Sequence, residues 1–197
     1  MQIGIVVAVF PLIFFGELPD KTMFASLLLA ARGRPRAVWL GASAAFIVHV
    51  VIAVSIGSAL FRILPARAVD IVVAVLFAVG AVLAFHESAE ADEELAEEIV
   101  EEVTLRSHRV AGTAFIVIFV AEWGDLTQVL TANLAARYHN PLSVGVGAAL
   151  ALLSVAAIAT FSGKQLVRVL PGTLLRRITG VACSIFAVIA VVATIRA

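Results

Sequence analysis

Long continuous apolar runs dominate the chain. Six stretches are long enough to cross a bilayer, near 3–30, 38–61, 68–86, 110–136, 142–166 and 173–195. They are too long and unbroken for β-barrel strands, which alternate over short segments. Most connections are short and rich in Arg, Gly and Pro. The exception is 87–107, which carries nine acids between Glu87 and Glu102. Within it Leu95, Ile99 and Val103 recur every four residues. That spacing predicts a short amphipathic helix inside an otherwise solvated linker. The predicted fold class is an all-α membrane protein with six transmembrane helices.

The pattern occurs twice. Phe14-Phe15-Gly16-Glu17-Leu18-Pro19-Asp20-Lys21-Thr22 aligns with Phe119-Val120-Ala121-Glu122-Trp123-Gly124-Asp125-Leu126-Thr127 at an offset of 105 residues. After a one-residue slip the offset is 106, and Pro35, Gly41, Gly57 and Pro65 meet Pro141, Gly147, Gly163 and Pro171. Shared apolar character alone would not order polar and proline landmarks in this way. An odd number of spans per copy sends the second copy into the membrane from the opposite side. The halves are thus expected to be two inverted three-helix repeats, related by a pseudo-two-fold axis in the membrane plane. The expected organisation is a first repeat at 1–86, an acidic cytoplasmic linker at 87–107 and a second repeat at 108–197.

Composition agrees with this class. Of the 197 residues 62% are hydrophobic and 14% charged, and the mean hydropathy is +1.08. A soluble chain of this size has too little interior to hide so much apolar surface. These figures exclude a soluble enzyme, a disordered tail and a nucleic-acid binder. The formal net charge is zero, but the cations are unevenly placed. The 1–2, 3–4 and 5–6 connections carry Arg32, Arg34, Arg36, Arg106, Arg109, Lys164, Arg168, Arg176 and Arg177, against Arg62, Arg67, Arg137 and Arg196 on the other side. The positive-inside rule then directs both termini outward and the acidic linker to the cytoplasm. Met1-Gln2-Ile3-Gly4 lacks the basic flank of a secretory signal, so the first run is expected to be a mature helix. The lone Cys183 excludes an internal disulfide framework and is expected to pack in the bundle. Trp39 and Tyr138, near span ends, fit interface anchors.

The chemistry lies in the intramembrane acids. Glu17 and Asp20 fall near the middle of the first span, Glu122 and Asp125 near the middle of the fourth. A carboxylate at the bilayer centre costs at least about 2.5–3.5 kcal/mol. Spacing of i, i+3 would put each pair on one helix face, and the inverted repeat would bring the two faces together. A cluster of four such acids needs a cation or protons. All-oxygen ligands suit a hard divalent ion such as Ca²⁺, Mn²⁺ or Mg²⁺. Pro19 frees the Phe15 carbonyl and Gly124 permits bending at the matching position; carbonyls at a broken helix are further ligands. Thr22, Thr127 and Gln128 could add neutral oxygens. Lys21, four residues after Glu17, could pair with it, but one lysine does not offset four acids. His49, mid-span in the second helix, is either a proton relay or a histidine hydrogen-bonded within the bundle. Ser26, Ser43, Thr131 and Asn133 are candidates for hydrogen bonds between helices, with packing as the blander role.

The doubled Glu-x-Gly-Asp-Lys/Arg-Thr/Ser pattern, one copy in each half of a six-span chain with an acidic central loop, resembles the Gdt-one/transmembrane-protein-165 family over essentially the whole sequence. That resemblance implies secondary transport of Mn²⁺ and Ca²⁺ in exchange for H⁺, in Golgi, plastid and bacterial membranes. Carried over, the implied metal ligands are Glu17, Asp20, Glu122 and Asp125, with Thr22 and Thr127 beside them. Two positions depart from the family pattern: Pro19 stands where glycine is usual, and Leu126 where a basic residue is usual. Losing that positive charge makes the site more acidic and bears on ion preference and proton stoichiometry.

The resulting expectation is a cation/proton antiporter in a prokaryotic inner membrane. It would carry Mn²⁺ or Ca²⁺ and H⁺ as transported species and hold no prosthetic group. The acids bind metal on one side, release it on the other and return protonated, while the two repeats rock about the site. An acidic cytoplasmic mouth favours export. The partners are divalent ions, protons and the lipid bilayer, with no nucleic acid; a homo-oligomer is left open. Two alternatives stand beside this reading. An exporter of amino acids or other small organic solutes would need a carboxylate partner, for which Lys21 alone is thin support. An intramembrane aspartyl protease would need only a dyad and, as that family is known, a Gly-x-Gly-Asp motif that is absent here.

Overall fold

The computed structural model describes residues 1–17, 21–31, 34–63, 66–86 and 110–169, with isolated positions between 177 and 195. The acidic linker, Pro19, Asp20 and Cys183 lie outside the described residues. Among the described residues the regular structure is helical: α1 (Ile3–Glu17), α2 (Lys21–Ala31), α3 (Pro35–Ile63), α4 (Ala66–His86), α5 (Val110–Ala121), α6 (Leu126–Tyr138) and α7 (Pro141–Val169). Further helical positions recur between 177 and 195, where the sixth span is expected.

Two of the expected single spans are each two helices. The first run is divided into α1 and α2, whose axes differ by 68°; the fourth is divided into α5 and α6. The divisions fall between Glu17 and Lys21 and between Ala121 and Leu126, the sequence intervals that hold the expected helix breakers Pro19 and Gly124. Among the described residues two helices, Pro35–Ala59 and Pro141–Ser162, are by themselves long and apolar enough to cross a membrane. The bent pair makes a third if it is counted as one span.

α3 and α7 form the centre. Both are 29 residues long and begin with proline, whose missing N–H is no loss in a first turn. Asn140 caps α7 by accepting from the Ser143 N–H (3.2 Å). The buried face of α3 runs Val38, Ala42, Ala45, Phe46, His49, Val50 and Ala53. A shift of 106 residues gives Val144, Ala148, Ala151, Leu152, Val155, Ala156 and Ala159, the buried face of α7. The two helices pass antiparallel: the Trp39 indole donates to the Leu153 carbonyl (3.3 Å), and Gly145 lies by Val50 and Val54. Trp39, expected as an interface anchor, thus reaches across to the neighbouring helix.

The closest packing runs between the halves. A Cβ built at Gly41 on α3 would overlap the Ala111 carbonyl and meet Ala114 on α5; one built at Gly147 on α7 would meet Val6 and Val9 on α1. The same offsets of 105 and 106 carry one contact onto the other. Gln2 N–H also donates to Ser143 Oγ (2.8 Å), so α1 and α7 start side by side and run in the same direction. Gly57 reaches the Ala132 backbone on α6, and Gly180 lies against the Phe85 ring at the end of α4. Small residues let helix backbones approach where lipid offers no hydrophobic drive for association. Many large apolar side chains, Val51, Ile56, Val120 and Leu150 among them, face outward, as a lipid-facing surface requires.

Gly41→Ala is expected to destabilise the chain by about 1–3 kcal/mol, the usual cost of overpacking. Gly4→Ala on α1, with nothing within 4 Å of its Cβ, is expected to be neutral or slightly stabilising. Thermal unfolding of both variants in detergent checks the contrast.

Candidate cation site

The two helix breaks meet. Glu17 is the last residue of α1, and Glu122 immediately follows α5. Both are fully buried, with relative exposures of 0% and 2%. Asp125, half-buried, begins α6. One carboxylate oxygen from each of Glu17, Glu122 and Asp125 lies within 4.8 Å of the others. Calcium–oxygen bonds are 2.3–2.6 Å, so oxygens on opposite sides of one such ion stand up to about 5 Å apart. At that spacing the three carboxylates could hold a single hard cation between them.

Helix polarity reinforces the charge. The C-terminal turns of α1 and α5 direct carbonyl oxygens and the negative ends of their dipoles toward the break. Acids placed there are mutually unfavourable unless a cation or protons offset them. Glu17 Oε1 accepts from Thr22 Oγ1 (2.6 Å), whereas its Oε2 has no hydrogen-bond partner among the described residues. A buried carboxylate oxygen in that condition is a ready ligand atom.

Expectation and structure differ over how the second pair of acids is placed. Glu122 and Asp125 are not on one helix face. Residues 122–124 form a turn, closed by Asp125 N–H donating to the Glu122 carbonyl (3.1 Å). Gly124, the third residue of that turn, has φ +79°, the left-handed value that a type II turn requires there. Asp125 has extended backbone and caps α6, accepting from Thr127 N–H (3.2 Å). The turn and the cap replace helical spacing as the cause of convergence.

Of the other candidates, Thr22 sits on Glu17, and Thr127 Oγ1 lies 3.4 Å from Asp125 Oδ2. Gln128 Oε1 accepts from Gly124 N–H (2.8 Å), and its Nε2 donates to His49 Nδ1 (2.7 Å). His49 Nε2 faces the Phe119 carbonyl at 3.0 Å. A carbonyl only accepts, so this nitrogen carries the proton and Nδ1 is the acceptor. Both His49 ring nitrogens are thus hydrogen-bonded within the bundle. Thr131 and Asn133 bond to the Thr127 and Val129 carbonyls of their own helix rather than between helices. Ser26 and Ser43 have buried hydroxyl oxygens without partners among the described residues. Asp20 and the Lys21 side chain lie outside the described residues.

Sequence reasoning missed the surroundings of the second break. The Phe119 and Trp123 rings, four residues apart, lie 5.4 Å from each other and pack against the His49 ring at 4.7 and 6.1 Å. A cavity of about 10 Å³, near the space of one water, is lined by His49, Glu122, Thr127, Gln128 and Thr131 among others. The available signal was the mismatch of His49 with Val155 between the halves.

Broken helices with buried acids at their ends characterise membrane transport proteins, and sequence comparison identifies the group. The family described as "Divalent cation/proton antiporter GDT1" matches residues 5–92 and 110–197, and the chain belongs to it. It is 33% identical over 204 residues to Protein PAM71, chloroplastic, of Arabidopsis thaliana, covering 92% of this chain and 55% of that protein. It is 31% identical over 196 residues to GDT1-like protein 1, chloroplastic, of Oryza sativa subsp. indica, covering 84% and 57%. It is 31% identical over 166 residues to GDT1-like protein sll0615 of Synechocystis, covering 78% and 80%. The chain thus spans little more than half the length of the plant relatives. No solved structure matches. The family is one of transporters, not enzymes, which sets the protease alternative aside.

A Cβ at Gly124 would meet no atom within 4 Å, so substitution there costs backbone strain alone. Gly124→Ala is expected to lose about 1 kcal/mol or more of stability, and Gly124→Asn less, because asparagine tolerates the left-handed region. Unfolding midpoints in detergent give the order.

Proposed function

We propose that the chain is a secondary active transporter exchanging Mn²⁺ and/or Ca²⁺ for H⁺ at the acid cluster. The observation that carries this reading is the approach of Glu17, Glu122 and Asp125, from breaks over 100 residues apart in sequence, to within 4.8 Å in a buried setting. Asp20, the match of Asp125, completes the proposed ligand set. Thr22 and Thr127 orient the carboxylates from the first turns of α2 and α6. Membership of a divalent cation/proton antiporter family supports the ion class.

The remaining architecture is part of the proposal. Six spans form two inverted repeats over 1–86 and 108–197, joined by a cytoplasmic acidic linker, with both termini outside a prokaryotic inner membrane. The antiparallel course of α3 and α7 and the repeated glycine contacts support inversion. Metal arrives at deprotonated acids, access alternates, and protons replace the metal for the return. The acids near the cytoplasmic mouth favour export.

Two outcomes follow. Adding Mn²⁺ or Ca²⁺ to the weakly buffered purified protein should release protons, with Mg²⁺ as the comparison, and apparent metal affinity should fall as pH falls because protons compete for the same oxygens. Absence of proton release with all three ions would overturn exchange at this cluster. Asp125→Asn and Asp20→Asn should abolish metal uptake into vesicles while leaving membrane insertion intact; uptake at the wild-type rate in both would remove these acids from the mechanism.

A further inference from the structure

Beside the second break the two halves differ at a buried position of the central helices. The buried faces of α3 and α7 match position by position, but His49 on α3 corresponds to buried Val155 on α7. His49 is therefore a polar addition at the second break, without a counterpart at the matching position of the other half.

Its hydrogen bonds span that break. The end of α5 leaves the Phe119 carbonyl without its helical donor, because Trp123 N–H turns to the Val120 carbonyl (3.2 Å). His49 Nε2–H supplies the replacement at 3.0 Å. On the far side of Glu122, Gly124 N–H is held by Gln128 Oε1 (2.8 Å), and the same amide donates to His49 Nδ1 (2.7 Å). One continuous path thus runs from the Phe119 carbonyl through His49 and Gln128 to the Gly124 N–H. It closes across the segment that carries Glu122 and ends beside Asp125. The Phe119 and Trp123 rings pack against the imidazole.

We infer that His49 and Gln128 are positioning residues: a latch from α3 that fixes the shape of the 119–125 break and so sets the separation of the Glu122 and Asp125 carboxylates for a divalent cation. The inference rests on the cation-site reading above. Neither side chain is assigned as a ligand. Both Gln128 amide atoms and both imidazole nitrogens have partners within the protein, and the contribution inferred for them is geometric. Groups that orient ligands in this way typically change metal affinity by about 10–100-fold when removed.

The test uses the full chain in lipid vesicles, with Mn²⁺ as the probe. His49→Phe, Gln128→Met and the double variant are compared with wild type, and His49→Leu is a second, smaller replacement. Equilibrium Mn²⁺ binding is read from the electron-spin-resonance signal of the free ion. Each single variant is expected to bind about 10-fold more weakly. The double variant should be no worse than the singles, because both changes open one latch. In transport the KM for Mn²⁺ should rise by a similar factor, with turnover at saturation changed less than about two-fold; a purely structural defect would instead lower the amount of active protein and leave KM alone. Inserted variants with wild-type affinity, or losses that multiply to about 100-fold in the double variant, would overturn the latch and leave the cation site standing. A wild-type chain that binds no Mn²⁺ would overturn the site reading itself, and with it the latch.

Discussion

Buried negative charge at the ends of interrupted helices is the constraint on which the rest of the structure depends. Glu17 and Glu122 are among the largest fully buried side chains, in the same class as Phe46, Ile13 and Ile118. Apolar side chains of that size stabilise a bundle; carboxylates oppose it unless their charge is offset. Both acids stand where a helix stops, so backbone carbonyls add to the negative potential rather than relieve it. The surrounding bundle is built to tolerate this. Long uninterrupted helices α3 and α7 supply a rigid interior, and the short helices α1, α2, α5 and α6 end against it.

That division of labour explains where glycine and small residues fall. Gly41, Gly57 and Gly147 stand at points where one helix meets the backbone or first side-chain carbons of another. Gly124 serves a different end: its positive φ turns the chain so that Glu122 and Asp125 face one point. Packing glycines hold the interior together, and one conformational glycine shapes the cluster. The hydroxyls then act locally, Thr22 on Glu17 and Thr127 on Asp125.

Much of this was legible in the sequence. Apolar run length located α3, α4 and α7 to within a few residues. The doubled Phe-to-Thr segment pointed to the meeting of acids from the two halves, and Glu17, Glu122 and Asp125 do meet. The reason given for their placement was incomplete. Helical spacing treats Glu122 and Asp125 as neighbours on a cylinder, whereas the chain leaves the helix at Glu122 and re-enters it after Asp125. Hydropathy averages over such a break, because the flanking residues stay apolar on both sides. Gln128 Oε1 accepts from the Gly124 N–H of the turn, and composition cannot show which acceptor a freed N–H will choose. The pairing of His49 with Gln128 joins residues 79 apart in sequence, and only the packing of α3 on α6 brings them together.

The interleaving of the two halves ties the fold of each to the other. The close helix contacts at Gly41, Gly57 and Gly147 all join one half to the other. Cutting the chain between the halves would leave those glycine-lined surfaces facing lipid, which offers no comparable drive for helix association.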